Sequence, residues 1–400
     1  MIPTILLKTY AYLKGWRTDL KIIVIESDDW GSIRTSSKDS YDCLVASGFP
    51  MDRSCYSLDA LETEEDLEML FEVLKSIRDS RGMPACMTAY MVVANPDFHK
   101  IKESNYTKYY YEPVTSTLNK YYGRINVPQL WKKGIEQGVF ITQFHAREHI
   151  RWWDWLRSLQ KGSFEALETF NLGMCGVPFA VSKEKKSHYV GLYSDRKKLA
   201  DSGVSLEELI KGGIKLFNKI FGFNPVSTVA PNCYWNDYAE SIWSECGIRY
   251  IQGGPVKYVD GPDGIKKKFV YLGERNSFGS IYLIRNCSFE PSRNKRFNAE
   301  YCLKQIQLAF KLHKPAVIST HRVNYIGAID SRNRERGLNE LMHLLKKITE
   351  KWRDVIFLST PELGYLIENN IQDLKEINEN LFREISKTNI RNSSKGDAKF

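Results

Sequence analysis

The sequence lacks the features that mark several common classes of protein. None of its eight cysteines forms a C-x-x-C pair, which argues against a zinc ribbon or a thioredoxin-like redox site. No apolar run approaches the roughly 20 residues that a membrane-spanning helix needs. The opening segment MIPTILLKTYAYLKGWR has no long apolar stretch, so we predict no secretory signal. We therefore expect a cytoplasmic protein with free, mostly buried thiols and no integral membrane segment.

Concentrated charge is also missing. The 400 residues include 57 basic and 48 acidic residues, a net charge of +9, and the basic residues are scattered. The short clusters at 183–186 and 266–268 lack the interleaved aromatic residues of a nucleic-acid binder, so we predict no nucleic-acid partner. The hydrophobic fraction of 42% is sufficient for a large buried core.

Short apolar runs alternate with amphipathic segments from about residue 20 to residue 365. Lys21–Ser27 has an uninterrupted apolar centre, which is typical of a parallel strand covered on both faces. Strands are predicted at 21–27, 86–93, 139–144, 226–230, 249–252, 315–320 and 355–358, and helices at 63–79, 128–137, 205–220, 236–245, 299–313, 334–352 and from 361. A β-hairpin is predicted over Tyr258–Arg285. This alternation predicts a (β/α) barrel or a doubly wound sheet.

The same pattern predicts the division of the chain. Residues 1–370 are expected to form one barrel domain, with insertions near 97–127, 150–200 and 255–283. Apolar residues at helical spacing predict an amphipathic helix over 371–386, and a polar tail follows at 387–400.

Polar residues follow the predicted strands at the points where the strands end. They are Asp28-Asp29, His145 with His149, Pro231-Asn232, Arg285-Asn286 and His321-Arg322. In a (β/α) barrel, catalytic groups gather at the carboxyl ends of the strands. Each feature alone would also fit a structural role, but their succession at strand ends favours one site.

These residue types suit metal-assisted hydrolysis. One Asp and two His supply three protein ligands and leave positions open for water and substrate, as in a catalytic metal site. A second carboxylate nearby could take a proton from water, and a histidine across the pocket could protonate a departing group.

The segments ESDDWGS, FHAREH, APN and STH resemble the ordered motifs of the polysaccharide deacetylase (NodB-homology) family. That resemblance implies a distorted (β/α) barrel in which Asp28 is the general base and His321 the general acid. It also implies that Asp29, His145 and His149 hold a metal, usually zinc. A backbone N–H near Pro231 to Cys233 would stabilise the oxyanion formed at an N-acetyl or O-acetyl carbonyl.

Several positions depart from the family pattern. Ala146 replaces the usual Ser or Thr, and Ser319 replaces an apolar residue before the last histidine. The third motif lacks the arginine that orients the base. Arg285 is the first candidate to replace it, followed by Arg322 and Arg147.

Aromatic and polar residues beside the motifs are candidates for substrate contact. The predicted substrate-binding residues are Trp30, Pro231, Asn232, Tyr234 and Arg285, with the aromatic rings stacking on a sugar. Trp152, Trp153 and Trp155 are close together, so at least one is expected to line a cleft or an interface.

We therefore expect a metal-dependent hydrolase that removes an acetyl group from a sugar or a precursor of a surface polysaccharide. One alternative is a glycoside hydrolase on the same fold, which needs a second carboxylate across the pocket, and Glu290 is the candidate for it. The other is a non-catalytic barrel that binds a glycan or a partner protein.

Overall fold

Parallel strands form the central element of the computed structural model, which describes residues 13–122, 124–189, 203–261 and 264–377 and the single residues 193, 199 and 381. The strands are β1 (Ile22–Trp30), β2 (Met87–Val92), β3 (Ala94–Pro96), β4 (Tyr111–Pro113), β5 (Phe140–Ala146), β6 (Ser227–Val229), β7 (Tyr250–Gly253), β8 (Val256–Gly261), β9 (Gly264–Phe269), β10 (Ile281–Ile284), β11 (Cys287–Ser288), β12 (Ala316–His321) and β13 (Ile356–Phe357). The main sheet has the order β10-β7-β6-β5-β2-β1-β12-β11, and β13 also pairs with β1. Every pairing within it is parallel.

The chain between β10 and β11 joins the two edges of this sheet. The Arg285 amide donates at 2.9 Å to the carbonyl of Gly253, the last residue of β7, and the Asn286 amide donates to the Val317 carbonyl of β12 at 3.1 Å. The sheet therefore curves into a distorted (β/α) barrel, which confirms the predicted fold class. The carboxyl ends of its strands meet at one face, where such barrels carry their sites.

Helices cover the sheet. They are α1 (Lys38–Ala46), α2 (Glu64–Ser76), α3 (Phe98–Glu103), α4 (Val114–Thr117), α5 (Val127–Glu136), α6 (Trp152–Gln160), α7 (Phe164–Asn171), α8 (Leu206–Phe221), α9 (Asp237–Glu245), α10 (Ala299–Lys311), α11 (Ser331–Lys351) and α12 (Thr360–Glu368). Reciprocal capping bonds join Thr63 with Asp66 and Ser205 with Glu208, and they fix where α2 and α8 begin.

The predicted strands and helices of the barrel agree with these bounds to within three residues. The hairpin prediction, in contrast, is corrected. The hairpin consists of β8 and β9 alone. The later strand, β10, is instead a parallel barrel strand beside β7. The apolar pattern of that region did not distinguish a hairpin partner from a barrel strand.

The prediction for the tryptophan cluster is also corrected. Trp152, Trp153 and Trp155 are all buried, at 3%, 5% and 0% exposure. The inserted segments cover them, since Tyr109 stacks on Trp152 at 4.7 Å and Phe98 meets Trp155 at 5.8 Å between ring centroids. These insertions supply a second packing layer, so α6 is covered on more than one side.

The start of the predicted C-terminal helix 371–386 is not α-helical. Ile371 donates its amide to the Leu366 carbonyl at the end of α12, and residues 374–376 form a single 3-10 turn. Residues 378–380 and 382–400 lie outside the described part of the chain. Among the described helices, none combines the length and the apolar character needed to cross a membrane.

Candidate metal centre and active site

The carboxylates of Asp28 and Asp29 line the same cavity because β1 is irregular at its end. The register between β1 and β2 shifts between Ser27 and Trp30, and Asp29 has a left-handed backbone with φ 76°. A regular strand would direct neighbouring side chains to opposite faces. Left-handed backbone at a residue other than glycine costs about 1–3 kcal/mol and is often retained at functional sites.

Asp29, His145 and His149 form a buried cluster at this strand end. The Asp29 Oδ1 atom lies 3.6 Å from His145 Nε2 and 3.5 Å from His149 Nε2, and one potential ligand atom from each residue lies within 4.8 Å of the others. The His145 Nδ1 atom is 2.7 Å from the Val229 carbonyl. Because a carbonyl only accepts, Nδ1 carries the hydrogen and Nε2 keeps its lone pair for a metal.

The protonation states of this cluster also suit metal binding. Burial raises the pKa of Asp29, but Arg34, His149 and His145 outweigh it and hold that pKa well below its usual range. Burial and the nearby Arg34 lower the pKa of His149 to about 3. Asp29 is therefore a carboxylate and His149 a neutral imidazole, the forms in which these side chains bind a metal. One oxygen and two nitrogens fit zinc and other first-row divalent ions.

Asp28 is held by Arg285, which forms two parallel hydrogen bonds with it. The Arg285 guanidinium donates to Asp28 Oδ2 at 2.6 Å and to Oδ1 at 2.7 Å. Burial raises the pKa of Asp28, but the Arg285 charge and hydrogen bonds outweigh it and lower the pKa below its usual value. Of the three arginines considered for the missing third-motif residue, Arg285 is thus the one that contacts Asp28.

The other two arginines, Arg147 and Arg322, have different partners. The prediction that either of them could orient Asp28 is therefore corrected. Arg147 donates from Nε to both carboxylate oxygens of Glu148 at 2.8 Å. Arg322 donates to Asp59 and Glu62, both at 3.0 Å, and to the Ser32 carbonyl at 2.8 Å.

Glu26 is a site residue that the sequence reasoning missed. Its Oε2 atom accepts from Arg285 Nε at 2.6 Å, and its Oε1 accepts from Thr360 Oγ1 at 2.5 Å and from Gln252 Nε2. Arg285 therefore lies between two carboxylates of β1. The signal was present in the sequence, because Glu26 precedes Asp28 by two residues and strand alternation places both on one face.

His321 lies beside Asp28 on the neighbouring strand, since the two residues are register partners of β12 and β1. Its Nδ1 atom is 2.5 Å from Glu290 Oε1, and the other Glu290 oxygen accepts from Asn324 at 2.7 Å. Burial lowers the pKa of His321, but Glu290 outweighs it and raises the pKa to about 9. His321 is therefore an imidazolium ion at neutral pH, with Nε2 available to donate a proton.

This arrangement corrects the role considered for Glu290. A glycoside hydrolase on this fold would need it as a free carboxylate facing the substrate. Instead Glu290 is buried behind His321 and is not among the residues that line the cavity. In the described part of that lining, the carboxylates are Asp28 and Asp29.

The cavity has a volume of about 620 Å³ and brings together most, but not all, of the predicted site. Asp28, Asp29, His145, His149, Asn232, Arg285 and His321 line it. Pro231 and Tyr234 do not. The prediction that Trp30 stacks on a sugar is wrong, because its ring is fully buried, donates to Ser27 Oγ at 2.9 Å and packs edge-on against Phe140. Beyond the β1 irregularity, Trp30 returns to the core face.

The turn after β6 has an unusual backbone beside the cavity. Asn232 and Cys233 have φ of 58° and 53°, and the Cys233 amide donates to the Ala230 carbonyl at 2.8 Å. Pro231 has no N–H. Within this turn the backbone N–H of Asn232 is therefore the candidate donor for a substrate oxygen.

A buried charge network supports the loop that follows Asp29. Arg322 is fully buried and binds Asp59 and Glu62, and Glu62 also accepts from the Gly31 amide at 3.2 Å. Gly31 has φ 80°, and a Cβ there would lie 2.3 Å from the Val92 carbonyl oxygen. The network thus fixes the backbone next to Asp29.

We expect the replacement Arg322→Met to destabilise the fold by about 3–5 kcal/mol, because it leaves two buried carboxylates without their cation. Urea denaturation would measure the change. The matched control is Arg332→Met, whose side chain is 84% exposed and pairs with Asp330, and whose loss is expected to leave the unfolding midpoint close to the wild-type value. Equal unfolding midpoints for the two variants would refute the structural role of Arg322.

Comparison with known proteins finds solved structures that resemble this chain in fold. No family model and no curated protein matches the chain. Among solved structures, a Mycobacterium smegmatis protein described as a polysaccharide deacetylase has 11% identity over 91% of this chain and 96% of its own, with a TM-score of 0.40. A Pseudomonas aeruginosa protein described in the same way has 10% identity over 88% and 94%, with a TM-score of 0.41.

A third solved structure is of another enzyme class. The 4-alpha-glucanotransferase of Thermococcus litoralis has 9% identity over 86% of this chain, with a TM-score of 0.42. This chain spans only 40% of that protein. Likenesses this distant do not select a reaction, so function has to be inferred from the residues of the site.

Proposed function

We propose that this chain is a metal-dependent hydrolase that removes an acetyl group from a sugar or a polysaccharide precursor. The proposal rests on two side chains that lie beside one candidate metal cluster and whose pKa values are shifted in opposite directions. Asp28 is held ionised by Arg285, and His321 is held protonated by Glu290. Asp29, His145 and His149 supply the metal ligands, and we propose zinc as the ion.

Asp28 and His321 would each carry out one of the two proton transfers of the reaction. Asp28, as a carboxylate, accepts a proton from the attacking water, and Arg285 keeps both of its oxygens oriented. His321, as an imidazolium ion, donates a proton from Nε2 to the departing amine or alcohol. A bound divalent metal would supply Lewis-acid activation of water and of the acetyl carbonyl. The backbone N–H of Asn232 would donate to the oxygen on which negative charge develops.

Acetyl removal fits this site better than glycoside cleavage. Cleavage of a glycosidic bond needs two carboxylates on opposite sides of that bond. Here the two carboxylates of the described lining are sequence neighbours, one beside the two histidines and the other paired with Arg285. The candidate acid is the His321 imidazolium, which suits protonation of an amine or alcohol leaving group.

The proposal predicts that His145→Ala loses both the metal and the activity. Purified wild-type protein should contain about one divalent metal per chain and release acetate from N-acetylated or O-acetylated sugar oligomers. His145→Ala should lose most of the metal, because one of three ligands is removed. Elemental analysis and an enzymatic acetate assay would measure the two quantities.

His99→Ala is the control, since the His99 side chain is 71% exposed and lies on α3. It should match wild type in both assays. Wild-type protein that holds one metal per chain yet releases no acetate from either substrate class would contradict the proposed reaction and favour a binding role.

A further inference from the structure

Tyr56 lines the cavity beside His321 and has no part in the metal cluster or in the two proton transfers. Its ring meets the His321 ring almost at a right angle, with 5.9 Å between the ring centroids and 88° between the ring planes. Glu290 binds the same histidine through Nδ1. Tyr56 is therefore next to the group that would protonate the departing amine or alcohol.

Contacts from two barrel loops fix the backbone around Tyr56, which lies in one turn of 3-10 helix. In the loop after β1, Thr35 Oγ1 donates to the Ser57 carbonyl at 2.8 Å and the Thr35 amide donates to the Asp59 carbonyl at 2.9 Å. In the loop after β12, the buried Arg322 binds the Asp59 side chain. The phenol is thus presented from a well-anchored segment, as precise recognition of a ligand requires.

The hydroxyl group of Tyr56 is available to a ligand. It makes no hydrogen bond to the described residues and is not among their enclosed polar atoms. Tyr189, the other tyrosine of the described lining, has an enclosed hydroxyl, and its ring lies against Arg34. Burial, Glu290 and Asp29 hold the pKa of Tyr56 well above its usual value, so its phenol stays neutral and can donate a hydrogen bond.

The charged groups near Tyr56 already have partners. Asp29 pairs with Arg34, and His321 pairs with Glu290. A further charge on the ligand would enter a buried site without a counter-ion of its own, which is costly. A neutral polar group, such as a hydroxyl, is the partner that suits the phenol. Tyrosine also offers an apolar ring with a polar tip, which matches the mixture of C–H and O–H groups on a sugar.

The position of Tyr56 indicates which hydroxyl group it can reach. To protonate the departing atom, His321 Nε2 has to come within hydrogen-bonding distance of it. A side chain beside that histidine therefore lies near the carbon that bears the departing atom and near the substituents of the next carbon. In a sugar ring the next carbon commonly carries a hydroxyl group, whereas a simple acetylated amine or alcohol has none there.

We infer that Tyr56 is a specificity-determining residue whose hydroxyl donates a hydrogen bond to the sugar hydroxyl next to the acetylated position. This inference rests on the proposed function and specifies its substrate class, a sugar in which the carbon next to the acetylated one bears a free hydroxyl. Substrates without that hydroxyl are deacetylated less efficiently.

The test compares two acetylated sugars with their 3-deoxy analogues, an N-acetylglucosamine disaccharide and a 2-O-acetylated xylose disaccharide. In both analogues the missing hydroxyl is on the carbon next to the acetylated one. Wild-type protein should lose about three- to tenfold in kcat/KM on the analogue, since a neutral hydrogen bond contributes a factor of about this size. Tyr56→Phe should lose as much on the parent sugar and little on the analogue, so the ratio of the two kcat/KM values should fall towards one.

Tyr301→Phe is the matched control, because Tyr301 is 38% exposed on α10 and does not line the cavity. It should keep the wild-type ratio. A wild-type ratio near one would overturn the inference but leave the proposed function intact. An unchanged ratio in Tyr56→Phe would do the same, and an equal fall in kcat on both sugars would then assign Tyr56 to the positioning of His321. No acetate from either sugar would overturn the proposed function and the inference with it.

Discussion

Replacing Asp28 with asparagine is expected to lower kcat by about 10²–10⁴-fold while the metal content stays at the wild-type level. The amide keeps the shape of the carboxylate but cannot accept the proton of the attacking water, and a positioned base contributes a factor of this size. Asp28 is paired with Arg285 and not with the two histidines, so the metal ligands remain complete. Steady-state kinetics and elemental analysis of the same preparation would measure both quantities.

Asp29→Asn is the control for this variant, because it makes the same isosteric change one residue along the chain. Asp29 faces His145 and His149, so this variant should lose most of the metal along with the activity. The two variants therefore separate the role of base from the role of ligand. If Asp28→Asn loses the metal, or if Asp29→Asn keeps it, the assignment of the two carboxylates is wrong.

The variant Glu290→Gln is expected to move the alkaline limit of activity to lower pH. In the wild type, the pKa of His321 is raised to about 9 by Glu290, so the imidazolium acid persists until the pH approaches that value. Without the carboxylate, the pKa should fall towards the ordinary value of about 6.5. At pH 8, the protonated fraction, and with it kcat, should drop by up to roughly 30-fold, because Asp28 and Asp29 still raise the pKa of His321 in the variant.

The direction of the pH effect makes this prediction specific. Below about pH 6 the variant should regain much of the wild-type kcat, because His321 is then protonated in both proteins. Because the folded-state pKa of His321 is raised, its pairing also stabilises the fold fully below about pH 6.5 and loses that contribution as the pH rises through about 9. A pH–rate profile of Glu290→Gln that overlays the wild type would show that Glu290 does not tune the acid.

The sequence predicted the alternating strands and helices because its periodic signals are strong, and the resemblance of its motifs to a known family pointed to the barrel rather than to a doubly wound sheet. Continuous apolar runs such as that of β1, and reciprocal caps such as Thr63 with Asp66, are encoded within a few residues. The cluster of Asp29, His145 and His149 was also predictable, since the carboxyl ends of parallel strands meet at one face. These features depend on local pattern and on a general property of the fold.

Other features depended on contacts that no local pattern encodes. Trp30 follows the motif directly, but the β1 irregularity returns its ring to the core. Glu290 pairs with His321, which lies 31 residues further along the chain. Residues 172–189 could not be predicted to line the cavity, because an apolar residue in an insertion is equally typical of ordinary packing. Such features are set by long-range packing of the insertions.

The most direct test of the account is reconstitution of chelator-treated protein with zinc. Acetate release should be absent without metal, rise in proportion to added zinc and reach its plateau at about one zinc per chain, whereas His145→Ala stays inactive throughout. Full activity in protein shown by elemental analysis to contain no metal would contradict the central claim that Asp29, His145 and His149 hold a catalytic ion.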